Sequence, residues 1–255
     1  MDWTAVLSGF AVGGVVGLTG VGGGSLMTPL LIGIFKLNPA VAIGTDLWFA
    51  ALTKSGGAVA HHRHGHVDGP IARRLLLGSL PAAVLTIAWM HWTGAARAWA
   101  ALLTYSLGIA LLLTAVVVIY RPLWQRLGLR LESWIPARHK PLLTVAVGAL
   151  LGVLVTLSSI GAGALGATLI LLLYPRLPAQ RVVGTDIAYA VPLTLVAGIG
   201  HASLGHVEWS LLAALLVGSL PGIWLGARLT TALPDKLIRT LLAGSLLAAG
   251  LKVIH

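Results

Sequence analysis

Apolar positions run along the chain in blocks at about 3 to 18, 25 to 36, 40 to 61, 70 to 92, 97 to 120, 141 to 157, 163 to 174, 180 to 202, 207 to 230 and 236 to 254. Blocks of ~20 residues or more suit helices that cross a ~30 Å hydrocarbon core. The stretches 3 to 36 and 141 to 174 do not. As one helix, a run of ~33 residues would reach ~50 Å, and as two it is short of two complete spans. Each of these stretches therefore predicts two short helices that meet at a glycine break and return. The pattern gives an all-α polytopic membrane protein.

The chain also repeats itself, and a repeat decides the architecture. Gly44-Thr45-Asp46 recurs as Gly184-Thr185-Asp186, and His61 recurs as His201. Gly65-His66-Val67-Asp68 recurs as Gly205-His206-Val207-Glu208, and Gly78-Ser79-Leu80-Pro81 as Gly218-Ser219-Leu220-Pro221. All stand 140 apart; upstream the offset is 139, which aligns Leu18 to Gly24 with Leu157 to Gly163. Residues 1–120 thus form a first transmembrane repeat and 141–255 a second, each a broken-helix hairpin plus three transmembrane helices. Residues 121–140 form a basic linker between them.

Composition sharpens this. Charged residues are 9% and hydrophobic residues 57% of the 255, with a mean hydropathy of +0.93. That much apolar surface belongs in lipid and leaves no room for a soluble domain. The absence of Cys excludes disulfides and thiolate metal sites. The start, Met1-Asp2-Trp3, has an acid where a signal peptide needs cations, so the first segment is expected to stay in the mature protein.

The net charge of +10 raises nucleic acid as a partner, but the positions of the cations argue for topology instead. Arg63, Arg73 and Arg74, the five cations from Arg121 to Lys140, Arg176 and Arg181, and Arg228, Lys236 and Arg239 fall in loops that one assignment places together in the cytoplasm. Under that assignment the block at 40 to 61 runs out to in and its mate at 180 to 202 runs in to out. The repeats are then inverted, with both termini on the outer face. Inverted repeats with broken helices place substrate near the midplane, where the repeats meet.

The chemistry-bearing residues gather at the breaks and in the third helix of each half. Gly20, Gly22, Gly23, Gly24 and Ser25 in one half, and Gly161 and Gly163 in the other, open a helix whose N-terminal N–H groups attract anions. The plain alternative is close helix packing. Ser158 and Ser159 either add hydroxyl donors there or satisfy freed carbonyls. Asp46 and Asp186, with Thr45 and Thr185, are candidates for coupling or gating, because intramembrane carboxylates carry protons in transporters; otherwise they brace their own turns. Lys54, whose repeat mate is Thr194, either holds substrate charge or snorkels toward the cytoplasmic end. His61, His62, His64 and His66 with Asp68 raise a divalent-metal alternative, although the mate keeps only His201 and His206 and no spacing fixes a coordination geometry. No Ser-His-Asp order, HExxH stretch or nucleotide motif argues for an enzyme or a pump.

Gly17-Leu18-Thr19-Gly20-Val21-Gly22-Gly23-Gly24, Pro29, Ala42-Ile43-Gly44-Thr45, Gly57 with His61, Gly65-His66-Val67-Asp68 and Gly78-Ser79-Leu80-Pro81 resemble the TauE/SafE sulfite exporter family, also called the 4-toluene sulfonate uptake permeases. The second half departs from the family pattern, with Ala162 and Ala164 where glycines are usual and no proline matching Pro29. The resemblance implies a bacterial inner-membrane transporter of sulfite, sulfoacetate or a related organosulfonate, with no bound cofactor and no resident metal. Expected partners are the anion, membrane lipids, a coupled proton and a second copy of the chain in a homodimer, and no nucleic acid.

Overall fold

The computed structural model describes residues 3–19, 24–93, 96–229, 240, 243–244 and 246–251. These form ten α-helices, a 3-10 turn and a last helical stretch at 246–251, with no strand among the described residues. In order they are α1 (Trp3–Thr19), α2 (Gly24–Gly33), α3 (Pro39–Arg63), α4 (Gly69–Thr93), α5 (Ala96–Ile119), α6 (Arg121–Glu132), α7 (Lys140–Ser158), α8 (Ala164–Leu173), α9 (Ala179–Ser203) and α10 (Trp209–Leu229). Five of the described helical segments are long and apolar enough to cross a bilayer. α3 is as long as α4 and α9, at 25 residues, but Asp46 and Lys54 interrupt its apolar run.

The short helices differ in length. α1 and α7 have 17 and 19 residues while α2 and α8 have 10 each. At ~1.5 Å per residue the returning arms reach only about half the hydrocarbon thickness.

Local chemistry sets the joints. Asn38 Oδ1 accepts the Ala40 N–H at 3.0 Å, and Pro39 takes the first position of α3, where its missing N–H costs nothing. The duplicated Gly-His-Val-acid motif is a helix stop followed by a helix start. Gly65 sits at φ 69° and Gly205 at φ 74°, and the next N–H, of His66 or His206, reaches back to the carbonyl of His61 or His201 at 2.9 Å in each case. This is the left-handed C-terminal cap that glycine makes at low cost. Asp68 then caps α4 by accepting the Ile71 N–H at 3.2 Å.

The halves interlock rather than sit side by side. α1 packs along α10 and α4 along α7 in matched registers. The Val6 carbonyl stands where a Cβ on Gly218 would go, and the Val145 carbonyl stands in the same relation to Gly78. α3 and α9 pack directly on each other: Gly44 meets His206, Trp48 Nε1 donates to the Gly198 carbonyl at 2.9 Å, Gly57 meets Ile187 and Gly184 meets His66. Numbers rise along one helix as they fall along the other, so these two helices run antiparallel. Large apolar side chains such as Leu77, Leu85, Trp89, Tyr105 and Ile109 lie exposed on the outside, as a lipid-facing belt requires.

The segment read as a linker adds an element that the apolar pattern does not show. α6 lies against α8, with Gly128 on the Leu171 and Leu172 carbonyls. Glu132 joins Lys140 and Arg176, both at 3.1 Å.

Candidate functional site

The α7–α8 break is fully described. α7 ends at Ser158, and Ser159 takes a left-handed conformation at φ 58°. Gly161 and Gly163 follow at φ 134° and 138°, a region that side chains avoid. Of the N–H groups that open α8, those of Gly166 and Ala167 return to the Gly161 and Gly163 carbonyls at 2.8 Å each. The two serines separate. Ser158 Oγ donates to the Leu154 carbonyl at 2.6 Å and accepts the Ile160 N–H at 3.2 Å, the backbone-satisfying alternative. Ser159 Oγ is buried and has no hydrogen-bond partner within the protein.

Two helices bring charge to this break. Lys54 is only 5% exposed, and its Nζ donates to the Ala162 carbonyl at 2.7 Å. The snorkelling alternative is therefore wrong for this lysine: the side chain turns inward across the repeat boundary, where a carbonyl freed by the glycine turn takes one of its protons. Lys54 is in electrostatic reach of both Asp46 and Asp186. Asp186 of α9 lies on the first turn of α8, facing the Gly163 N–H, and a Cβ on Gly166 would overlap both Asp186 Oδ1 and Tyr189 Oη. Asp46 of α3 accepts a hydrogen bond from Thr28 Oγ1 of α2 and has Ser159 beside it. Asp46 Oδ1, Asp186 Oδ1 and Tyr189 Oη are buried without hydrogen-bond partners in the protein.

The acids are not the braces of their own turns. The neighbouring threonines do that work: Thr45 Oγ1 accepts the Glu208 N–H at 3.0 Å and Thr185 Oγ1 accepts the Asp68 N–H at 2.9 Å. Both aspartates are closed off from water. They are 0% and 3% exposed, because the opposite half's loop packs over each Gly-Thr pair.

The candidate histidines lie in the last turns of α3 and α9 and in the loops that follow. His61 Nδ1 lies against Gly184, and His201 lies against Gly44 with its Nε2 2.9 Å from the Thr156 carbonyl. The His61 and His66 rings are 5.6 Å apart and the His64 and His66 rings 5.9 Å. Among the described residues no three His, Asp or Glu side chains come together as a metal ion would require.

Gly20, Gly22 and Gly23 lie outside the described residues. Gly24 and Ser25 begin α2. The repeat reading missed Thr28, Tyr189, Arg181 and Gly166. Tyr189 stands where the first half has Phe49, and this exchange of an apolar ring for one with a hydroxyl was the available signal.

Membrane-spanning helices around a buried polar centre define a polytopic α-helical membrane protein, and the relatives of the chain are membrane transporters. The family model for sulfite exporter TauE/SafE matches residues 5–253, and the chain belongs to that family. It is 38% identical over 257 residues, the full length of both chains, to "Probable membrane transporter protein YjnA" of Bacillus subtilis (strain 168). It is 28% identical to "Probable membrane transporter protein YdhB" of the same organism over 98% of each chain. A "Probable membrane transporter protein" of Xylella fastidiosa (strain 9a5c) is 27% identical over 88% of this chain and 83% of its own. No solved structure matches the chain.

Proposed function

We propose that the chain is a secondary transporter of a small sulfur-containing anion, such as sulfite, sulfoacetate or a related organosulfonate, held at the N-terminus of α8. The observation that carries this reading is the convergence of three things at one buried point: the opening turn of α8, the partnerless Ser159 hydroxyl and the Lys54 ammonium. A helix N-terminus offers partial positive charge and N–H donors to an oxyanion, and a buried ammonium adds a full charge where water screens it little. The antiparallel packing of α3 and α9, which are sequence mates, supports inverted repeats that rock about the site in alternating access. The family name supports the sulfur chemistry. In this reading the chain sits in a bacterial inner membrane with both termini on the outer face.

Flux into proteoliposomes, measured against sulfite, sulfate, sulfonates and carboxylates, tests the reading. Transport of sulfur oxyanions and not of carboxylates is the expected result. Simultaneous replacement of His61, His62, His64 and His66 by Ala should leave anion flux in place, whereas metal-dependent flux lost in that variant would favour a divalent-metal carrier. A reporter fused after His255 should read as external.

A further inference from the structure

At the opening turn of α8 the protein already supplies an anion of its own. Asp186 faces the Gly163 N–H, presses on Gly166 and is in reach of the Lys54 ammonium. These are the groups assigned above to the substrate. A substrate anion and the Asp186 carboxylate cannot both occupy the opening turn of α8, because the added negative charge would find no further buried cation there.

Resting on the anion-transport reading, we propose that Asp186 is a resident place-holder for the substrate: a singly charged anion takes its position at the α8 N-terminus and Lys54 as the Asp186 carboxylate takes up one proton. The exchange conserves charge. Before it, the Asp186 carboxylate faces Lys54; after it, the bound anion faces Lys54 and the Asp186 carboxyl is neutral, while Asp46 on Thr28 is the same in both states. The proton comes from solvent, and Tyr189 Oη, buried beside Asp186 at Gly166, stays within reach of the carboxyl in either state. A doubly charged anion would bring a second negative charge that no further buried cation among the described residues answers.

The groups around this switch are few. Tyr189 is on the same helix as Asp186, and Lys54 and Asp46 are on α3, with Asp46 tied to Thr28. α7 and α8 present Ser159 and backbone. At the ends of the packed helices stand the Asp68–Arg181 pair with His61 and His66 on one side, and Glu208 with His201, His206 and His91 on the other. Asp46 is held on the α2 side by Thr28, and the proposal assigns the exchanged proton to Asp186, the acid that faces the α8 turn.

Methanesulfonate and sulfate are suitable probes, because neither changes its charge between about pH 5 and 9. The experiment measures anion binding and proton uptake together on the purified full-length protein in weakly buffered detergent. The wild type should take up one proton per methanesulfonate bound. Its affinity should weaken about tenfold per pH unit in the range where that uptake is complete, and sulfate should bind at least about a hundredfold more weakly. Asp186→Asn should bind methanesulfonate without proton uptake and with a flat pH profile, while Asp46→Asn should keep both the uptake and the slope. Tyr189→Phe, which leaves the carboxylate in place, should shift the midpoint of the pH profile without abolishing uptake. Binding by the wild type with no proton uptake would overturn the place-holder role and leave the anion site standing, as would an unchanged slope in Asp186→Asn. If neither protein binds any anion of the panel, the anion site itself is wrong.

Discussion

The α3–α9 crossing is made twice, once near each end, and the two versions differ in what they carry. At one end the loop after α3 lays the His66 carbonyl on Gly184 and gives the Asp68 N–H to Thr185; at the other the loop after α9 lays the His206 carbonyl on Gly44 and gives the Glu208 N–H to Thr45. The shared parts are a glycine without a Cβ and a threonine acceptor, and these are what the packing requires. Only the first crossing adds an ion pair, Arg181 to Asp68 at 3.1 Å. The mate of Arg181 is Val41, and among the described residues no ion pair joins the second crossing. The same asymmetry reaches the interior, where Lys54 and Tyr189 have Thr194 and Phe49 as mates. The repeated motifs share the packing parts, while the charged and hydroxyl-bearing side chains differ between the halves.

The strongest way to break this comparison is to put a side chain where it says only glycine fits. Gly44→Val and Gly184→Val should each cost about 3 kcal/mol or more, since backbone carbonyls must part from helix backbone. Thermal unfolding in detergent should show the two losses to be similar, and a loss confined to one variant would mean that the crossings are not equivalent packing devices.

Gly166→Ala tests the interior asymmetry. The added methyl displaces Asp186 and Tyr189 from the α8 turn, so flux should fall at least tenfold, while the better helix propensity of Ala, worth about 1 kcal/mol, offsets part of the strain. Thr45→Val and Thr185→Val should each cost about 1 kcal/mol by leaving an N–H without its acceptor, again nearly equally.

Asp68→Asn keeps the α4 cap and removes the ion pair. Arg181 is 42% exposed at its side chain, so the change should cost only ~0.2–1 kcal/mol and shrink further in high salt. The smallest expected effect is at the other crossing. Burial, and then the charge of His91, hold His206 below its ordinary value of 6.5. The folded state thus binds that proton less readily than the unfolded one, and stability should decline as pH falls below about 6.5. His206→Gln should flatten that decline, and a profile unaltered by this change would remove His206 from the account.

The helices and their repeat were legible because lipid imposes long apolar blocks and because duplication leaves paired motifs at a fixed offset. The α7–α8 break was legible from length alone, since 141 to 174 could be neither one span nor two full ones; the corresponding break in 3 to 36 lies outside the described residues. The direction of side chains was not legible. Lys54 reads either as a holder of substrate charge or as a snorkelling lysine, and only the packing of α3 over the α7–α8 break shows that the Ala162 carbonyl receives it. Asp46 and Asp186 read either as coupling acids or as turn braces, because Thr and Asp are adjacent and either could accept the crossing N–H. Thr28 lies 18 residues from Asp46, a separation that no periodicity connects. α6 escaped because its apolar face is narrow and its charges dominate the local average.

The central claim is that a sulfur oxyanion binds at the opening turn of α8 beside Lys54. Crystals grown with methaneseleninate, a singly charged selenium oxyanion, measured at the selenium absorption edge, would place the anion directly. The account predicts an anomalous peak within hydrogen-bonding distance of Lys54 Nζ and of the N–H groups at Gly163 to Leu165, with Asp186 moved off that turn. A peak at the His61 to His66 loop, or in the ~500 Å³ cavity lined by Pro29, Lys36, Thr104 and Ala248, with none at α8, would contradict it.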